Sequence, residues 1–429
     1  MLKYLSKEIR PNSSAKTKRL LIIAHNHPHF FPGGAEIFAY DLFQAIRNTD
    51  YAPFFLAAAS VTHRHIHTGT PFQTLVDAPD EMLFWGDAFD HFYQSQKILN
   101  FMYVDFKKLL QQLQPDIIHF HHSIRIGLEA IQVARQTLPD VKIVYTLHEF
   151  ILICYRDGQM VRKHTDELCE AASPSRCHQC FSEFSPQQFM MREVFIKAHL
   201  DHVDRFIAPS SFLAHRFVDW GIPKEKMTVI ENGRQILTTA PHRTLAEHEN
   251  RNIFGFFGQI NPYKGVLLIL KAAEYLVKQN FTNFRVELFG NIGASTPEFE
   301  KEFSELLFRC QNYVTWHGQY RNEEMPELIR LIDWVIVPSV WWENSPLVIQ
   351  EALMHKRPIL CSDIGGMAEK VENNVTGLHF RVKNHISLAE VMKRTCLEFG
   401  LWERLVQNIS PRLSIEDCAA QHIQLYDRL

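Results

Sequence analysis

The chain has 429 residues, 46% of them hydrophobic, and carries 45 Lys plus Arg against 48 Asp plus Glu, a formal charge of −3. That length predicts two or three domains, each able to bury its own core, and the composition excludes a disordered or collagen-like chain. Near-neutrality excludes the basic footprint of a dedicated nucleic-acid binder, and no apolar run approaches the roughly 18 residues that a membrane-spanning helix needs.

Residues 1–19 hold six Lys or Arg and one Glu without a continuous apolar stretch, which reads as a basic extension rather than a secretory signal. A cytoplasmic enzyme is the expectation. From residue 20, short β-branched runs alternate with stretches of helical period: a strand at LLIIA (20–24), a helix over 35–47, a strand at PFFLAAA (53–59), a helix over 93–113, a strand at DIIHFHH (116–122), a helix over 127–136 and a strand at VKIVYT (141–146). A cysteine-rich stretch follows, then a helix over 186–202, a strand at DRFIAP (204–209), a helix over 211–220 with Ser210 or Ser211 as its cap, and a strand at KMTVI (226–230). Residues 232–250 have no period and read as a linker. The alternation then restarts, with strands at RNIFGFFGQ (251–259), FRVELFG (284–290), VTWHG (314–318), DWVIVPS (333–339) and RPILCSD (357–363) separated by helices over 265–278, 298–310, 326–331 and 346–355.

Such alternation predicts α/β architecture: two doubly wound, Rossmann-like domains facing across a cleft. The expected boundaries are the extension at 1–19, a first domain over 20–235 with a Cys-rich insertion at 154–180, a linker at 236–250, a second domain over 251–400, and a helical segment at 401–429 whose partner domain stays open.

In open parallel sheets, ligands bind beyond the carboxyl ends of the strands, where helix N-termini and loop amides converge. Gly33 and Gly34 follow the first strand and precede a helix; they fit either a ligand's close approach or a tight turn. The loop Gly258-Gln-Ile-Asn-Pro-Tyr-Lys-Gly265 opens the second domain. It lacks the order of a nucleotide-triphosphate P-loop, yet Lys264 stands at a helix start, where a cation opposes the dipole unless an anion such as a diphosphate joins it. In the stretch 338–351, Ser345 before Pro346 predicts an N-cap followed by a first-turn proline. Glu343 then lies before that cap and Glu351 inside the helix, with Asn344 and Ser345 offering amides to a shared ligand. Gly365 and Gly366 form a second glycine pair before a helix and offer further amides.

These residues resemble a family. GGAE (33–36), APS (208–210), VIENG (229–233), the loop ending in Lys264-Gly265, VTWHG (314–318), PS followed by Glu343 and Glu351, and DIGG-x2-E (363–369) occur in the order seen in family 4 glycosyltransferases, over about residues 20–380. The resemblance implies the GT-B fold and a metal-independent, retaining transfer of a sugar from a nucleotide-diphosphate donor, held by the second domain, to a glycan or lipid-linked acceptor on the first. It implies that Lys264 neutralises the donor diphosphate, Glu343 faces the transferred sugar, Glu351 binds the ribose, and Gly33 and Gly34 let the first domain approach the phosphates. His148, in TLHEF, matches the family's active-site His. Members commonly carry Arg where this chain has Gln259; Arg234 is a candidate replacement cation. A sugar-nucleotide epimerase of the same architecture and a non-catalytic donor-binding subunit remain as alternatives.

Cys154, Cys169, Cys177 and Cys180, four of the eight cysteines, have the spacing C-x14-C-x7-C-x2-C. Four thiolates suit a closed tetrahedral structural zinc, with His164 or His178 as substitute ligands; free buried thiols and disulfides are the other readings. A similar insertion occurs in some bacterial members of the family. Of the 23 His, 16 precede residue 216, which suggests a first-domain cleft able to bind acceptor hydroxyls. The basic extension and the aromatic-rich stretch 181–195 suggest peripheral contact with an anionic membrane surface.

Overall fold

The computed structural model describes residues 17–429 except 32, 60–69, 76, 87, 236–238, 248 and 294. The basic extension therefore lies, through residue 16, outside the described residues. The first domain comprises β1 (Lys18–Ala24), α1 (Gly34–Ile46), β2 (Tyr51–Ala58), β3 (Phe72–Leu75), β4 (Ala78–Phe84), β5 (Phe89–Asp90), β6 (Ser95–Gln96), α2 (Lys107–Leu113), β7 (Ile117–Phe120), α3 (Glu129–Thr137) and β8 (Lys142–Thr146). It continues through α4 (Pro174–Cys180), α5 (Pro186–Leu200), β9 (Arg205–Ala208), α6 (Ser211–Trp220) and β10 (Met227–Val229).

One sheet runs in the order β10-β9-β8-β7-β1-β2-β4-β3, parallel except where β3 meets β4. Helices cover both faces, so its central strands are apolar on both sides: Leu20, Leu21, Ile22 and Ile23 are all fully buried. The helix expected over 93–113 is only partly formed. Asp90 accepts hydrogen bonds from the amides of Phe92 and Tyr93, Gln94 takes a left-handed φ of 58°, and Ser95–Gln96 pairs with β5. These local bonds outcompete a helix start. A π-helical turn over Phe101–Phe106 then puts Phe101, Met102 and Phe106 into the core and leads into α2.

The second domain comprises β11 (Ile253–Phe257), α7 (Val266–Lys278), β12 (Arg285–Phe289), α8 (Pro297–Arg309), β13 (Val314–Gly318), α9 (Met325–Ile329), β14 (Trp334–Val337) and α10 (Leu347–Met354). Then come β15 (Ile359–Ser362), α11 (Gly365–Lys370), β16 (Gly377–Phe380), α12 (His385–Leu397) and α13 (Leu401–Asn408). Its sheet is wholly parallel, in the order β13-β12-β11-β14-β15-β16. Strand order reverses beside β1 and again beside β11, and these two switch points are where such sheets bind ligands.

The C-terminal segment divides between the domains. Leu401, Trp402 and Leu405 of α13 pack in the second core, whereas α14 (Ile415–Asp427) returns to the first, where Ile415, Cys418 and Tyr426 join Leu20, Ile22 and Phe38. The outgoing and returning chains touch: the Arg234 amide donates to Leu413 O at 3.3 Å, and the Ile415 amide to Arg234 O at 3.0 Å. A Cβ on Gly233 would sit 2.3 Å from Ser414 O, so only glycine permits this approach.

The connection into the second domain is anchored by Arg357, which is fully buried. Its guanidinium donates to the carbonyls of Ile329, Ile332, Ala240, His355 and Pro241. An Arg357→Met substitution strands these acceptors, and the expected cost is about 3 kcal/mol. Urea unfolding measures it; an unchanged midpoint would refute the anchoring role.

Candidate active site between the two switch points

The loops that follow β1, β7 and β8 face those that follow β11 and β14. After β11, the Asn261 side chain accepts from the amides of Tyr263 and Lys264, both at 3.0 Å, closing a 3-10 turn over Pro262–Lys264. Gly265 then takes φ 74°, and a Cβ there would lie 1.9 Å from Pro338 O. Lys264 is thereby locked against the β14 loop. Its Nζ meets Glu343 Oε1 at 2.6 Å, and the same oxygen accepts from Ser339 Oγ at 2.8 Å and Trp341 Nε1 at 2.9 Å. Burial would raise the Glu343 carboxyl, but Lys264, Trp341 and Ser339 hold it below its ordinary range, so it is a carboxylate at neutral pH.

Pro346, not Ser345, occupies the cap of α10. Its ψ of 122° keeps it extended, so the helix starts one residue later than expected, and Ser345 Oγ accepts from Gln350 Nε2 at 3.1 Å. Asn344 bridges the cleft, its Nδ2 donating to His148 O at 2.9 Å. Its Oδ1 is buried with no hydrogen-bond partner among the described residues, an acceptor left open. Gly366 serves this loop directly: its amide donates to Glu343 O at 2.6 Å, and a Cβ there would sit 1.9 Å from Asn344 O. Gly365, with φ 59°, is packed against the same backbone. The second glycine pair thus shapes the loop, and the Gly366 amide is already engaged.

Glu351 and Arg234 form an ion pair at 2.7 Å, and Arg234 also reaches Asp41 of α1 at 3.1 Å. Burial pushes the Glu351 carboxyl up despite the guanidinium. Arg234 is therefore engaged by two carboxylates across the domain boundary. Gln259 is exposed, with its Oε1 near Asn261 Nδ2 at 3.4 Å. Gly34 faces Leu347 of α10 across the cleft, at 3.6 Å from where its Cβ would be, while Gly33 makes room for the Glu36 carboxylate.

On the first-domain side the histidines form a buried chain. His148 Nε2 lies 3.1 Å from His121 Nδ1; His119 contacts Tyr426 OH and Thr146 Oγ1, each at 2.7 Å; His122 meets Glu149 at 3.0 Å; and His25 meets Glu36 at 2.8 Å. Burial pushes His148 down to about 3, with neighbouring histidines adding to the shift, so its imidazole is neutral at physiological pH. A neutral ring there can offer or accept a hydrogen bond.

Two aromatic contacts tie this cleft to the Cys-rich insertion, and sequence periodicity carries no signal for either. Trp342 Nε1 donates to Cys169 O at 3.1 Å, and Arg156 donates to Tyr263 OH at 3.1 Å. The aromatic residues expected at a membrane surface turn inward instead: Phe184 stacks on Phe92 at 4.0 Å, and Phe189 is buried. Met190, Met191 and Val194 of α5 are exposed. No described helix is long and apolar enough to cross a membrane. Among the described residues, no three His, Cys, Asp or Glu side chains converge, as they stand, on a point able to hold a metal ion.

Residues 32–235 match the family model described as Glycosyltransferase Family 4, and residues 239–409 the one described as Glycosyl transferases group 1. A lipopolysaccharide 1,2-N-acetylglucosaminetransferase from Salmonella typhimurium is 26% identical over 42% of this chain and 49% of its own length. A D-inositol 3-phosphate glycosyltransferase from Nocardia farcinica is 28% identical over 44% of each. The chain thus spans about half the length, or less, of these curated relatives. Among solved structures, Anabaena HepE in complex with UDP superposes with a TM-score of 0.67 at 19% identity, over 96% of this chain and 100% of that one. That likeness establishes the shared GT-B fold.

Proposed function

The chain belongs to the family 4 glycosyltransferases, and from that membership we propose that it is a retaining hexosyltransferase, moving a sugar from a nucleotide-diphosphate donor to a glycan or lipid-linked acceptor. The observation that carries this reading is the Lys264–Glu343 pair, fixed by Trp341 and Ser339 at the switch point of the second sheet and facing His148. In transfer, the acceptor oxygen bonds to the anomeric carbon, the bond from that carbon to the diphosphate oxygen breaks, and the acceptor proton leaves with the diphosphate. Lys264 meets the charge that grows on the departing oxygens, which lowers the barrier without a metal. Glu343 holds Lys264 in place and borders the sugar, the neutral His148 and Asn344 Oδ1 meet sugar hydroxyls, and Glu351 lies where a ribose would reach. Zinc enters this reading only as a structural ion at Cys154, Cys169, Cys177 and Cys180. Where the acceptor is lipid-linked, peripheral contact with the inner membrane face would use Met190, Met191 and Val194.

Nucleotide-diphosphate sugars should raise thermal stability. A donor at about 100 times its Kd adds roughly 2.7 kcal/mol by mass action. The donor so found, incubated with candidate acceptors, should give a product whose anomeric configuration, read by NMR, equals that of the donor. An inverted product would overturn retention. Interconversion of the free donor would favour an epimerase. Exposed Gln259, which supplies no charge beside Lys264, favours one further outcome: donor binding without any product would mark a non-catalytic subunit.

A further inference from the structure

The cysteine-rich segment between β8 and α5 has little regular structure to hold it. One isolated bridge, Val161 to Leu168, and the bond from the Cys169 amide to Met160 O at 2.7 Å fold residues 154–169 back on themselves. The only helix here, α4, has seven residues, and its cap Ser173 makes no side-chain bond. Ile151, Leu152, Ile153 and Met160 anchor the segment's start in the first-domain core, and Cys154 and Cys169 pack against them. Cys177 and Cys180 lie one turn apart on α4, and together with Cys154 and Cys169 they line a single cavity of about 30 Å³, closed on its apolar side by Phe181 and Phe189. None of the four is in a disulfide.

A second observation concerns charge. Arg192 is buried, donating to the carbonyls of Phe92, Ile151, Leu152 and Ile153, the last of which directly precedes Cys154. Among the described residues no carboxylate lies within ion-pair distance of it. A buried guanidinium with no counter-charge in contact is costly. Four thiolates around a divalent cation carry a net charge of −2, which supplies the missing partner.

We propose that Cys154, Cys169, Cys177 and Cys180 bind one Zn2+ as a closed tetrathiolate, and that this knot positions the Lys264–Glu343 pair. Four thiols lose four protons as the four Zn–S bonds form, with no change of oxidation state. The four sulfurs line one cavity without converging on a point as they stand, so the proposal requires them to move inward when the ion binds. Two hydrogen bonds carry the effect to the cleft. The Cys169 carbonyl holds Trp342, the neighbour of Glu343, and Arg156, two residues after Cys154, holds Tyr263, the neighbour of Lys264. This positioning step rests on the transferase reading, whereas the metal site does not.

Metal analysis of the purified full-length chain tests the site without any activity measurement. One zinc per chain is expected, released on thiol modification, with four thiols protected from alkylation until then. No metal, iron in place of zinc, or two disulfides in that segment would each overturn the site. Cys177→Ser with Cys180→Ser should reduce zinc by at least tenfold. A Trp342→Phe variant separates the positioning role: it should keep one zinc per chain and the wild-type melting temperature while kcat falls with little change in KM for the donor. An unchanged kcat would refute positioning and leave the metal site standing.

Discussion

Replacing Lys264 by Ala should lower kcat/KM for sugar transfer by about 10²- to 10³-fold, the range seen when a single preorganised charge donor is removed from a developing oxyanion. The effect should be large because Lys264 has little freedom. The Asn261 turn fixes its backbone, Gly265 packs on Pro338, and Glu343 holds its ammonium at 2.6 Å. The loss should fall mainly on kcat, since charge on the leaving diphosphate grows toward the transition state. Lys264→Arg keeps the charge but not the compact ammonium geometry, so it should recover only part of the rate. Steady-state kinetics with the donor identified by thermal shift, on variants whose circular dichroism matches the parent, checks this. Equal turnover in Lys264→Ala would remove the diphosphate role altogether.

Stability should fall steeply as pH drops below about 6.5, the ordinary histidine value. His119, His121, His122 and His422 are buried, and burial lowers each, His422 to about 4. The groups facing them do little to rescue a charged ring. His119 sees Tyr426, Thr146, His121 and His422; His121 sees His148 and Phe38; only His122, beside Glu149 and His25, has an acidic group near, and burial pushes that Glu149 carboxyl up to about 8. The unfolded chain therefore takes up protons that the folded chain refuses, and stability is lost from pH 6.5 downward until the folded-state values are reached, near 4 for His422. Each fully refused proton costs about 1.4 kcal/mol per pH unit; Glu149, whose folded carboxyl takes up a proton from about pH 8 downward, offsets one of them, and the remaining rings keep the net slope destabilising. Glu36 adds to the loss lower down. Burial would raise its carboxyl, but His25 and Asn26 hold it at about 2, so its contribution disappears below the ordinary carboxylate range. Urea unfolding at pH 7.5, 6.5 and 5.5 measures the slope, and a flat profile would show that these rings are not neutral in the fold.

Most strands and helices were legible because parallel strands buried on both faces leave continuous apolar runs and the helices between them keep their period. The stretch 93–113 misled because its apolar spacing fits a helix, while the side-chain bonds of Asp90 and the left-handed Gln94 act locally and carry no period. Ser345-Pro346 read as cap and first turn; an extended Pro346 moved the start by one residue. Lys264, Glu343, Asn344 and His148 were each visible as loop residues at strand ends, and the structure brings them to one cleft. Contacts between distant motifs were not legible. Glu369 accepts from the amides of Ser211 and Phe212 at 2.8 and 2.7 Å, capping α6 from the other domain, and Lys370 donates to Pro209 O. A segment read as a helix cap and one read as a ligand loop thus hold each other, a pairing no local pattern encodes. The partner of the C-terminal helices was hidden for the same reason, since a period reveals an apolar face but not what covers it.

The chain passes between its halves twice, and the passages are hydrogen-bonded to each other where Arg234 meets Ser414. A body tied at one point can swivel in any direction, but one tied by two adjoining strands can only swing about the line they share. Under the transferase reading proposed above, admission of a donor and departure of its spent nucleotide would share that one arc, with His148 and Lys264 returning to the same register.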